Sequence, residues 1–196
     1  MKVYIILILM AIAMMIQVAP VSAWSVTNHY QIAEATYNGL PLDIQSKLSL
    51  SEMKNGSDDP DTKFFDFSHH TYPNTKNKAE YWLNKGKHNY DNGNYKYASY
   101  CYGVATHYIA DGFCGPHTKA KSSRYYHTIY EIRAMFLSPQ TTYYSGDFDL
   151  IMNNNHLKSE KSWKHWLKEG DDYNIQKDLN RASSASYSLV KNSILS

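Results

Sequence analysis

The chain has 196 residues, enough for one domain with a sizeable core and too few for two comfortable ones. Its 20 basic and 18 acidic residues leave a formal charge of +2 at pH 7, which argues against broad electrostatic capture of nucleic acid or of an acidic membrane. Nine histidines, neutral at that pH, are invisible to this balance.

Residues 1–23 read as a secretory signal. Lys2 supplies the positive end, VYIILILMAIAMMI the apolar run, and Val21 and Ala23 the small residues before a cleavage point. Gln17 and Pro20 interrupt the run short of the roughly 20 residues a spanning helix needs. A retained membrane anchor is the alternative. Cleavage after Ala23 gives an extracellular protein that begins at Trp24, with 24–196 as its single domain.

Beyond that point the patterns are helical. TNHYQIAEATYNGL sets Ile32, Ala35 and Tyr37 near one face and stops at Gly39, and PLDIQSKLSL opens with proline at a first-turn position. The stretch 54–73, rich in Gly, Pro, Asp and Ser, reads as a long loop of the kind that is functional or disordered. NTKNKAEYWLNKGKHNYDNG is predicted to be a helix capped at Asn74 or Thr75. NYKYASYCYGVATHYIADG is the most apolar helix and the expected centre of the fold. SSRYYHTIYEIRAMFL runs to the residues before Pro139, and 140–156 is ambiguous apart from a short helix at DFDLIM. Two further helices cover LKSEKSWKHWLKEG and the C-terminal stretch that opens with Asp171 and Asp172. With no convincing pair of alternating strands, the fold expected is all-α, a bundle of about six or seven helices.

Cys101 and Cys114 are the only cysteines. A helix between them would hold them about 20 Å apart, against the roughly 7 Å a disulfide tolerates, so both are expected as buried thiols.

The chemistry concentrates in HYIADGFCGPH. His107 and Asp111 are four apart and share a helix face, and His117 follows beyond a break at Gly112, Gly115 and Pro116. HTIYE repeats the device with His127 and Glu131. The 54–73 stretch adds Asp58, Asp59, Asp61, Asp66, His69 and His70, and His29 lies five residues after Trp24. One such pair is an ordinary hydrogen bond. Two pairs on neighbouring helices, one of them otherwise apolar, point to metal, because buried charge is costly unless paired or ligated. Imidazole and carboxylate suit zinc. His88, His156 and His165 sit in polar surroundings and are expected to be solvated.

The order W-x4-H, G-S-x-x-P-D, S-H-x-x-x-P, H-x3-D-x5-H and H-x3-E, carried by WSVTNH, GSDDPD, SHHTYP, HYIADGFCGPH and HTIYE, resembles the zinc-dependent phospholipase C superfamily, which includes the single-strand-specific zinc nucleases. The resemblance implies the multi-helix fold of that superfamily and three zinc ions. Asp61, His69, His107 and Asp111 would hold the first, and His117, His127 and Glu131 the second. His29, a bridging Asp111 and the α-amine and carbonyl of Trp24 would hold the third. His70 is the rival of His69, and Asp58 and Asp59 are rivals of Asp61, although only Asp61 follows the proline. By the same resemblance Asp61 is the general base. The function implied is a monomeric, secreted phosphodiesterase of phospholipase C type acting on phospholipid at a membrane surface. A nuclease acting on nucleic acid and a non-catalytic zinc-binding surface protein are the alternatives.

Overall fold

The computed structural model describes residues 24–118 and 123–196, so the signal-like segment lies outside it. The described residues form eight α-helices and contain no strand. In chain order these are α1 (Val26–Gly39), α2 (Leu42–Gln45), α3 (Leu50–Thr62), α4 (Asn74–Asp91), α5 (Tyr95–Asp111), α6 (Arg124–Ala134), α7 (Phe148–Glu169) and α8 (Asp172–Leu195). Two 3-10 turns, Phe67–His69 and Gly115–Thr118, lie between α3 and α4 and between α5 and α6. No described helix is long and apolar enough to cross a membrane.

The helix expected to be capped at Asn74 or Thr75 instead starts after Pro73 with no side-chain cap, whereas other starts are built from side-chain caps. Ser25 accepts from the Asn28 amide at 3.2 Å to open α1, and Asp147 and Asp171 do the same for α7 and α8. α7 ends on Gly170 in the left-handed conformation that closes a helix at least cost to glycine. α5 is the centre of the bundle, buried without a break from Cys101 to Asp111, with α3, α4 and α8 against it. Cys101 and Cys114 are both buried, and neither is in a disulfide.

Several expectations need correction. The 54–73 stretch is not a continuous loop, because α3 runs through GSDDPDT to Thr62 with Pro60 inside it. Tertiary contact overrides the poor helix propensity there. A Cβ on Gly56 would stand 2.2 Å from the Tyr100 carbonyl oxygen, and one on Gly103 would stand 2.1 Å from that of Met53. Two glycines thus let the α3 and α5 backbones touch, and that contact carries Ser57 and Asp61 to His107. The second correction concerns the ambiguous region, most of which belongs to α7, a single helix of 22 residues.

His156 is also not solvated. It is buried on α7, its ring lies 3.8 Å from that of Tyr72 in a near-parallel stack, and its Nδ1 donates to the Gly112 carbonyl at 3.2 Å. His88 and His165 are exposed.

Candidate metal centre

Six segments meet at one buried point. α1 brings His29, the last turn of α3 brings Asp61, and the segment before α4 brings His70. The C-terminal end of α5 brings His107 and Asp111, the second 3-10 turn brings His117, and α6 brings His127 and Glu131. Their donor atoms form three groups, His29–Asp61–His107, His70–His107–Asp111 and His117–His127–Glu131, each with its atoms within 4.8 Å of one another.

Asp111 joins the first two groups. Its Oδ1 is 3.4 Å from His29 Nε2, while its Oδ2 is 2.9 Å from His70 Nδ1 and 3.2 Å from His107 Nε2. Asp61 Oδ1 lies 3.5 Å from His70 Nδ1 and 4.0 Å from His107 Nε2. These approaches lack hydrogen-bond geometry. Both nitrogens of His29, both of His70, His107 Nε2 and both oxygens of Asp111 are buried without a hydrogen bond among the described residues. Buried polar groups normally pair with one another. Lone pairs aimed at a shared point rather than at each other are what a cation requires, so the donor set fits zinc.

The backbone fixes the imidazoles. His107 Nδ1 is 2.8 Å from the Ser57 carbonyl and His117 Nδ1 is 2.7 Å from that of His70. A carbonyl can only accept, so each Nδ1 carries a proton and each Nε2 is turned toward the cluster. His117 Nε2 faces His127 Nε2 at 2.8 Å, and His127 Nε2 is 2.6 Å from Glu131 Oε1.

Titration follows the same geometry. Burial, reinforced by nearby His107, drives His29 well below the usual imidazole range, and burial pushes His117 down to about 4. Burial alone would raise the Asp111 carboxyl, yet His107 and His70 hold it well below the carboxylate range. Burial also opposes charge on His107, but Asp111 outweighs it and lifts that imidazole to about 9, a proton taking the place a cation would hold. Burial raises Glu131 to about 7.

Of the residues singled out in the sequence, His29, Asp61, His107, Asp111, His117, His127 and Glu131 converge. His69 does not. Its ring is partly exposed and turned to Asp66 and Ser68, whereas the adjacent His70 is buried in the cluster. In a 3-10 turn followed directly by a bend, neighbouring side chains leave in different directions, and spacing to Pro73 does not reveal which points inward. Asp59 is taken by Tyr100 and Lys63, and Asp58 accepts from Thr62, which leaves Asp61 as the acid facing the imidazoles. Trp24 is fully buried, its indole Nε1 donating to the Ala110 carbonyl at 2.8 Å. Asp66, a candidate donor in the sequence, lies outside the three groups. It gathers His69, Tyr108 and Lys78 and so fastens the segment that carries His70.

An all-α bundle wrapped around a buried histidine and carboxylate centre is the class that fold and site define. A family model described as zinc dependent phospholipase C matches residues 28–181, and the chain belongs to that family. The matched span holds every converging residue. No curated protein and no solved structure matches the chain. Membership supports a zinc-dependent hydrolase with phospholipase C-like function.

Proposed function

We propose that the protein is a secreted, monomeric phosphodiesterase that holds three zinc ions and releases a phosphorylated head group from glycerophospholipids. The observation that carries this reading is Asp111, whose two oxygens divide between the His29 side and the His70–His107 side of the cluster. One cation would sit with Asp61, His70, His107 and Asp111, a second with His117, His127 and Glu131, and a third with His29, Asp111 and the N-terminal amine and carbonyl of Trp24.

Zinc bound there supplies Lewis acidity that makes water nucleophilic near neutral pH and neutralises charge on phosphoryl oxygens. The chain's own residues do the rest. The Ser57 and His70 carbonyls lock two imidazole tautomers. Asp61, at the rim of the cluster and slightly exposed, accepts the proton of the attacking water. Export follows cleavage after Ala23, which frees the Trp24 amine.

The test compares turnover of phosphatidylcholine, single-stranded DNA and a soluble chromogenic phosphodiester, with and without chelator. Chelator-sensitive release of phosphocholine is the expected result. Nucleotide release instead would assign a nuclease, and zinc binding with no turnover would assign a binding protein.

A further inference from the structure

An aromatic face adjoins the metal centre. Between α3 and α4, Phe64, Phe65 and Phe67 are all exposed, Phe65 at 65%. Phe64 lies nearly parallel to Trp82 of α4, with centroids 5.9 Å apart, and Tyr81 meets Trp82 edge-on at 5.5 Å. Lys85 lays its ammonium 4.6 Å from the Trp82 ring and 5.4 Å from that of Tyr97 on α5. A cleft of about 760 Å³ opens among Phe64, Phe65, Asp66, Tyr81, Trp82 and Tyr108. Its wall is one side chain from the cluster, since Tyr108 meets His70 edge-on at 6.2 Å and Phe67 lies 6.0 Å from the same imidazole.

Scattered exposed apolar residues are ordinary, but a contiguous patch is not. We propose that the face formed by Phe64, Phe65, Phe67, Tyr81, Trp82 and Tyr97 docks on a phospholipid surface and presents single lipids to the adjoining centre. This deepens the phosphodiesterase reading and rests on it for the use made of the lipid. Phenylalanine has no polar handle, so three of them at the tip suit acyl chains, while tyrosine and tryptophan behind them suit the head-group layer. Lys85, its stem along the rings, suits the same boundary.

Nucleic acid fits less well. Binding a single strand pairs stacking rings with a track of free cations. Here Lys63 is held by Asp59 at 3.0 Å and Lys78 by Asp66 at 3.1 Å, which leaves Lys85 as the lysine standing over the rings.

Trp24, Trp163 and Trp166 are buried and Trp82 is not, so fluorescence can read the face directly. The zinc-loaded protein is mixed with vesicles of phosphatidylcholine brominated in its acyl chains, and emission is followed in the first seconds. Quenching of tryptophan emission is expected, and Trp82→Phe should abolish it. Phe65→Asn keeps a side chain tolerant of the left-handed backbone at that residue, where φ is 50°, and Tyr81→Ser serves as a second variant on a separate helix. Each should weaken vesicle partitioning about 10-fold, the scale of withdrawing one aromatic side chain from apolar contact. Absence of quenching in the wild type, or partitioning unchanged in both variants, overturns the proposal. Loss of single-stranded DNA binding in the variants, with no vesicle binding in the wild type, overturns it in favour of nucleic acid. Vesicle binding lost in both variants, in a protein that turns over no phosphodiester, upholds the docking face and defeats the catalytic reading alone.

Discussion

The indole of Trp24 donates to the Ala110 carbonyl at 2.8 Å, pinning that residue beside the backbone of Asp111, which joins two of the three metal-ligand groups. The bond anchors the residue proposed to begin the mature chain by its side chain, one residue from Asp111. Only a free amine is a competent ligand, and its reference pKa of about 7.7–8.0 makes it easily deprotonated near neutral pH. Protein processed to begin at Trp24 should therefore hold about one zinc more than a form that retains a methionine before Trp24. The extended form should also lose most of its phosphodiesterase activity. Equal zinc content by elemental analysis and equal turnover would remove the amine from the site.

His69 and His70 can be separated by substitution. His70→Ala should reduce zinc content and cut activity by more than the roughly 10–100-fold that loss of an outer partner costs. His69→Ala, which disturbs only the Asp66 and Ser68 contacts, should keep its zinc. Zinc titration of the two variants decides, and the reverse order would restore His69 as the ligand.

The contact between α3 and α5 should tolerate no added atom. Gly103→Ala places a methyl against a backbone carbonyl that cannot swing away, at a cost of about 1–3 kcal/mol or more. Because the same contact sets Ser57 against His107, zinc affinity should fall together with the melting temperature. A melt within a degree of wild type would show that the helices part without consequence.

Asp66 offers a pH-dependent check. Burial would raise its carboxyl, but hydrogen bonds from His69, Tyr108 and Lys78 hold it down at about 2. A depressed carboxylate stabilises the fold above its unfolded pKa of about 3.9 and loses that contribution as pH falls toward its folded value. Asp66→Asn should thus be less stable than wild type by about 1–3 kcal/mol at pH 6, with the gap closing between pH 4 and 2. Denaturant melts of chelated protein measure it without interference from zinc. A gap that persists at pH 2 would assign the effect to packing instead of charge.

Much of this was readable before any coordinates. α5 stood out because its apolar run leaves His107 and Asp111 as the polar residues that most need a reason, and a second four-residue pair on a neighbouring helix pointed with it to metal, while the ligand set came from the family resemblance. α3 was hidden because GSDDPDT is poor helix sequence, and its helicity depends on a contact that Gly56 permits with a segment far along the chain. His156 was disguised by the preceding asparagines. Its signal was present in the period of Ile151, Met152, Asn155, His156, Ser159 and Trp163, the buried stripe of α7. The choice between His69 and His70 needed the turn itself.

The most direct test of a three-zinc centre bridged by Asp111 is anomalous diffraction at the zinc edge from crystals of the processed protein. The account predicts three peaks. One should lie among Asp61, His70, His107 and Asp111, one among His117, His127 and Glu131, and one among His29, Asp111 and the Trp24 amine. A single peak, or none within reach of Asp111, would contradict it.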